Sequence, residues 1–83
     1  MIDKEEIIKK HCYTELVYER INKKLCKNFS KAEIGKLICK VLSETSLENY
    51  FKKGKNFYVF NENYQIKITV NSNTFRIITV DKI

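Results

Sequence analysis

Apolar and polar residues alternate across 64–70, where Tyr64, Ile66, Ile68 and Val70 are separated by Gln65, Lys67 and Thr69. That is the period of a strand with one buried face. Asn71, Ser72 and Asn73 supply a polar turn before a second β-rich run over 74–80, so the last third of the chain reads as an antiparallel hairpin. Further back, 57–60 predicts another strand and 48–52 a first one, with Lys53-Gly54-Lys55 and Asn61, Glu62 and Asn63 as the turns between them.

The first half has helical periodicity instead. Asp3 followed by Glu6 matches a capping box opening a helix that carries Ile7 and Ile8. From Tyr13 onward Val17, Ile21 and Leu25 recur every four residues, flanked by Leu16 and Tyr18, and Lys23, Lys24 and Lys27 gather at the C-terminal end, where cations complement the helix dipole. The pattern leaves open whether this helix is continuous from Asp3. Ser30 and Glu33 form a second capping signature, with Phe29 placed to staple against Ile34. Ile34, Leu37, Ile38, Val41 and Leu42 then fill one face, Lys31, Lys36 and Lys40 point away, and the helix is expected to end near Glu44.

The expected fold class is α+β, with two N-terminal helices packed on one face of a three- to four-stranded antiparallel sheet. A single domain is expected over residues 1–83, with 1–45 helical and 46–83 a β-meander whose other face stays open. At 83 residues the core is small, since such a domain buries only about 60% of its unfolded surface. The chain has no proline and only two glycines, which excludes proline-rich binding tracts and long flexible linkers.

Charge adds a hint about partners. The formal net charge is +6, and from residue 51 onward Lys52, Lys53, Lys55, Lys67, Arg76 and Lys82 face only Glu62 and Asp81. A basic β-rich segment attracts polyanions, although lysine also keeps small proteins in solution. The N-terminus lacks the basic and apolar regions of a signal peptide, and no apolar run approaches the roughly 20 residues that span a bilayer. A cytoplasmic location without membrane attachment is expected, as monomer or homodimer. Cys12, Cys26 and Cys39 fit neither a disulfide framework nor a paired metal site and are expected to be reduced and packed as small apolar groups. No metal or cofactor is expected, because phosphate-binding glycine motifs, a serine elbow and paired metal-binding carboxylates are all missing.

Candidate chemistry is of two kinds. On the open face and its turns, Lys52, Lys53, Lys55, Lys67, Asn71, Asn73 and Thr79 are candidate nucleic-acid ligands, with Tyr58 as a stacking surface and Thr69 beside it. Arg76 stands in an apolar, β-branched run, where its guanidinium either meets a phosphate or closes an internal carboxylate pair. His11 and Glu15, four residues apart, could share a helix face and divide the acid and base work of RNA cleavage. The competing reading of His11 is a surface or capping residue.

Two stretches carry a resemblance: Thr14-Glu15-Leu16 with Glu19-Arg20-Ile21, and Lys53-Gly54-Lys55-Asn56-Phe57-Tyr58 followed by Ile68-Thr69-Val70-Asn71 and Ile77-Ile78-Thr79. Together they resemble an uncharacterised bacterial family, domain of unknown function 3781, which implies no activity. The chain departs from that pattern at Cys12 and Tyr13, where histidine and threonine are expected, and this weakens a catalytic role there. A looser likeness in architecture is to small toxin ribonucleases of the barnase, colicin and RelE-like group. It implies arginine, lysine and tyrosine as cleaving groups, and so points to Arg76, Tyr58, Lys55 and Thr79.

The leading expectation is a small basic RNA-binding protein, with metal-independent endoribonuclease activity of the toxin type open; Arg76, Tyr58, His11 and Glu15 are its candidate catalytic residues. The alternative is a non-enzymatic protein-interaction module, such as a phage-encoded inhibitor of the anti-CRISPR kind or an immunity-type protein. Its aromatic anchors would be Tyr58, Phe60 and Tyr64.

Overall fold

The computed structural model describes residues 2–83. Its elements run α1 Lys4–Lys10, α2 Glu15–Leu25, α3 Lys31–Glu44, a 3₁₀ turn Leu47–Asn49, then strands β1 Tyr50–Lys53, β2 Asn56–Asn61, β3 Ile66–Asn71 and β4 Ile77–Lys82. The strands form one antiparallel meander in the order β1-β2-β3-β4. The α+β class is as expected, but three helices precede the sheet rather than two.

The extra break lies at residues 11–14 and has a tertiary cause. The Cys12 N–H donates to the Phe75 carbonyl and the Ile77 N–H to the Cys12 carbonyl, both at 2.9 Å, which makes a short parallel bridge beside β4. Those bonds require extended backbone, and Thr14 accordingly opens α2 at φ −103°, ψ 163°. α1 starts as expected, with the Asp3 carboxylate accepting from the Glu6 N–H at 3.0 Å. The reciprocal half of that box is replaced by an ion pair of Glu6 with Lys10. α3 has the complete box, with Ser30 Oγ accepting from the Glu33 N–H at 3.2 Å and the Glu33 carboxylate accepting from the Ser30 N–H at 2.9 Å.

α2 ends in a Schellman arrangement, in which the Cys26 N–H donates to the Lys23 carbonyl and the Lys27 N–H to the Asn22 carbonyl. Cys26 occupies the left-handed position at φ 55°, where glycine is usual. All three cysteines are exposed rather than packed: Cys39 falls off the apolar stripe of α3, Cys26 caps α2, and Cys12 lies in the extended bridge before α2.

Strand boundaries shift from the expected ones where side chains claim the backbone. Tyr64 lies in a turn, its N–H bonded to Asn61 Oδ1 at 2.9 Å, and β3 begins only at Ile66. Thr74 is held in the next turn by Asn71 Oδ1, which accepts from the Asn73 and Thr74 N–H groups, so β4 begins at Ile77 instead of residue 74. Gly54 at φ 61° sits first in the two-residue β1–β2 turn, as a type II′ hairpin requires.

The core lies between the helices and one sheet face. Ile7, Val17, Ile21, Leu25, Ile34, Ile38, Val41 and Leu42 meet Tyr50, Val59, Ile66, Ile68, Val70, Ile77 and Val80 in a single cluster. A polar knot closes one end of this layer. The buried Thr45 hydroxyl donates to the Val41 carbonyl, Asn61 Nδ2 donates to that hydroxyl, and the Tyr50 hydroxyl donates to the Leu42 carbonyl. α2 also guards the β4 edge, through the Arg20 guanidinium on the Ile78 carbonyl at 3.1 Å and Lys24 on Asp81 at 3.1 Å. Among the described residues no helix is long and apolar enough to cross a membrane.

Candidate nucleic-acid interface

Strand parity builds the site. Val59 is fully buried on the helix side, so its neighbours Tyr58 and Phe60 project from the other sheet face. Register then sets Phe51 opposite Tyr58, Tyr58 opposite Thr69, and Thr69 opposite Thr79. A second row runs Phe60, Lys67, Asp81, and a third begins with Lys53 opposite Asn56 and Asn56 opposite Asn71. Phe51 is 50% exposed, and neither it, Tyr58 nor Phe60 joins the core cluster.

The geometry within this face is that of a small aromatic platform with one cation on it. Phe51 and Phe60 meet edge to face with ring centroids 5.7 Å apart, a favoured arrangement for diagonal cross-strand neighbours. Lys67 Nζ stands 6.0 Å from the centroid of the Tyr58 ring, within cation–π range. Asp81, the one acid in these rows, is already paired with Lys24. At one end the two hairpin turns are tied together, the Ser72 N–H and hydroxyl both donating to the Lys55 carbonyl at 2.7 and 2.9 Å. Lys53, Lys55, Asn71 and Asn73 therefore gather at the same corner of the sheet.

The sequence model of a family described as a protein of unknown function, DUF3781, matches residues 5–81. The chain belongs to that family. Its comparison with curated proteins and with solved structures gives no match.

Of the candidate ligands, Lys53, Tyr58, Lys67, Thr69, Asn71 and Thr79 share the open face by register. Thr69 is only 5% exposed, and the Thr79 hydroxyl is buried without a hydrogen-bond partner; both form the floor of the face. Asn71 spends its carbonyl oxygen on the β3–β4 turn. Lys52 pairs with Phe57 and so lies on the helix side, away from the platform. Lys55 and Asn73 are exposed turn residues at the shared corner.

Arg76 precedes β4 opposite Asn71, whose N–H donates to the Arg76 carbonyl at 2.9 Å. It is exposed and has no carboxylate partner among the described residues, so the internal ion pair is not formed. It borders a shallow cleft of about 220 Å³ with Thr14, Leu16, Arg20 and Ile78.

His11 and Glu15 are not on one helix face. His11 caps the C-terminus of α1 and Glu15 begins α2. His11 Nδ1 lies 2.7 Å from the Ile8 carbonyl and Nε2 lies 3.0 Å from the Tyr13 hydroxyl. Only the Nδ1–H tautomer satisfies both contacts in a neutral ring, with Tyr13 donating to Nε2. Burial, with Tyr18 and Cys39 nearby, pushes the Tyr13 phenol above its ordinary pKa. Glu15 instead accepts from Lys31 Nζ at 2.7 and 2.9 Å, and this bond raises the Lys31 pKa. His11 and Glu15 thus act as separate structural ties in the helical layer. Of the candidate catalytic residues, Tyr58 lies on the open sheet face, Glu15 is held by Lys31, and His11 precedes the Cys12 bridge to Arg76.

Sequence reasoning left Phe51 out of the face and gave Phe60 only to a protein-binding alternative. Their signal was the aromatic content of two short strands, unreadable until the register put both on one side. Tyr64, the third aromatic of that alternative, packs on the core side with its hydroxyl on Glu44 at 3.2 Å.

Proposed function

We propose that the open sheet face binds single-stranded RNA, with Phe51, Tyr58 and Phe60 as stacking surfaces and Lys53, Lys55 and Lys67 as phosphate contacts. The observation that carries this reading is the set of three aromatic side chains outside the core on a lysine-bearing sheet face. Every base has a π-face, so such a platform tolerates any sequence, while the lysines follow the backbone. Arg76, exposed and unpaired, extends the basic corner. Binding without cleavage is favoured because Tyr58 faces away from the helical layer, in which His11 is tied to Tyr13 and Glu15 to Lys31.

The test is fluorescence anisotropy with a short end-labelled oligouridylate at low and moderate salt, alongside a denaturing gel for cleavage. Three phosphate contacts imply a slope of log affinity against log salt of about −2. Removing one stacking ring as Phe51→Ala or Tyr58→Ala is expected to weaken binding about 5- to 150-fold. Salt-insensitive binding, or affinity unchanged in both variants, would refute the interface. A defined protein partner that survives high salt, in a preparation free of nucleic acid, would favour the interaction-module reading on the same aromatic face.

A further inference from the structure

A cleft of about 330 Å³ opens on the helix side of the sheet, at the end away from the basic corner. Leu25, Phe29, Leu37, Tyr64, Ile66 and Ile83 form its apolar lining, and Lys27, Gln65 and Lys82 its polar lining. Leu25 and Ile66 are 5% and 6% exposed, the two most accessible members of the core. No Asp or Glu side chain lines the cleft. Lys27 and Lys82 are exposed, and neither forms an ion pair among the described residues. The volume falls within the range of small-molecule sites, which are apolar with a few polar groups that fix orientation.

We propose that this cleft binds a small apolar carboxylate, an acyl chain or aryl acid whose hydrocarbon body lies on Leu25, Leu37, Phe29 and Ile66 while its carboxylate meets Lys27 and Lys82. Charge complementarity selects the anion. A neutral hydrocarbon gains nothing from the two ammonium groups, and a bare phosphate gains nothing from the apolar walls. The site is independent of RNA binding, because none of its residues is on the open sheet face.

The test is an NMR amide-shift titration of the full chain with octanoate, with 1-octanol as the uncharged analogue. Shifts are expected to be confined to Leu25, Lys27, Leu37, Ile66, Lys82 and their neighbours. The double variant Lys27→Met/Lys82→Met keeps the side-chain stems and is expected to weaken octanoate about tenfold, to leave octanol unchanged and to leave oligouridylate binding unchanged. Leu37→Phe, which fills the cleft, is expected to lose both ligands. Absent or scattered shifts at millimolar octanoate would overturn the proposal. So would equal affinity for the two ligands with no effect of the lysine substitutions.

Discussion

Asn61 offers the sharpest test of how the helical layer is fastened to the sheet. It is 4% exposed and makes two bonds of 2.9 Å, donating from Nδ2 to the Thr45 hydroxyl and accepting at Oδ1 from the Tyr64 N–H. Thr45 spends its own proton on the Val41 carbonyl at 2.6 Å. Asn61→Ala removes both bonds and strands the half-buried Tyr64 N–H. At about 1 kcal/mol per net hydrogen bond, plus a share of the penalty for an unpaired buried donor, the loss is about 2–3 kcal/mol. For a domain of this size that lowers Tm by roughly 10–20 °C.

Asn61→Asp separates shape from chemistry. A carboxylate can still accept from Tyr64, but its other oxygen faces a hydroxyl with no proton to give, and burial disfavours its charge. Its folded pKa is therefore raised above the ordinary value of about 3.9. A raised pKa means that the variant holds its stability below that ordinary value, where a protonated carboxyl can donate to Thr45, and loses it as pH rises through the folded value. Urea denaturation of the three proteins across pH, at equal m-value, reads this directly. A loss under about 1 kcal/mol for Asn61→Ala, or a cost of Asn61→Asp that does not change with pH, would refute the reasoning.

Further outcomes follow from the caps and the face. Cys26→Gly relieves the left-handed strain at φ 55° and is expected to stabilise by roughly 0.5–1 kcal/mol, the strain relieved less the added chain entropy; unchanged or lower stability in urea would count against it. The Glu33 carboxylate is held below its ordinary pKa by its bonds with Ser30, so its contribution is present above about pH 4.3 and lost as pH falls through the lower folded value. Glu33→Gln keeps the bond to the Ser30 N–H without titrating, and is expected to show a smaller fall in Tm on acidification. Lys67→Ala is expected to weaken oligouridylate binding and reduce the magnitude of the salt slope by about 0.7, whereas Lys52→Ala on the other face changes neither; equal effects would place the RNA elsewhere.

The helix faces and strand alternation were legible because burial on one side imposes a period that survives any register. Val17, Ile21 and Leu25, then Ile34, Ile38, Val41 and Leu42, all reached the core. The Ser30–Glu33 box was legible because its bonds are made within four residues. The break at residues 11–14 was not, since no proline or glycine marks it; it exists because Cys12 bonds with Phe75 and Ile77. Tyr64 and Thr74 looked like strand residues by type and were turned aside by the side chains of Asn61 and Asn71.

The candidate site divides the same way. Tyr58, Lys53 and Lys67 could be named from an open basic face, but Phe51 and Phe60 joined them only once cross-strand register aligned β1, β2 and β3. Lys52 left the site and the His11–Glu15 pair came apart for the same reason: which side chains meet depends on contacts between segments distant in the chain. Local periodicity and capping were therefore set by the sequence alone, because their energies come from near neighbours. The helix break, the strand ends and the composition of the open face were decided by tertiary structure, where hydrogen bonds between remote segments outweigh local preference.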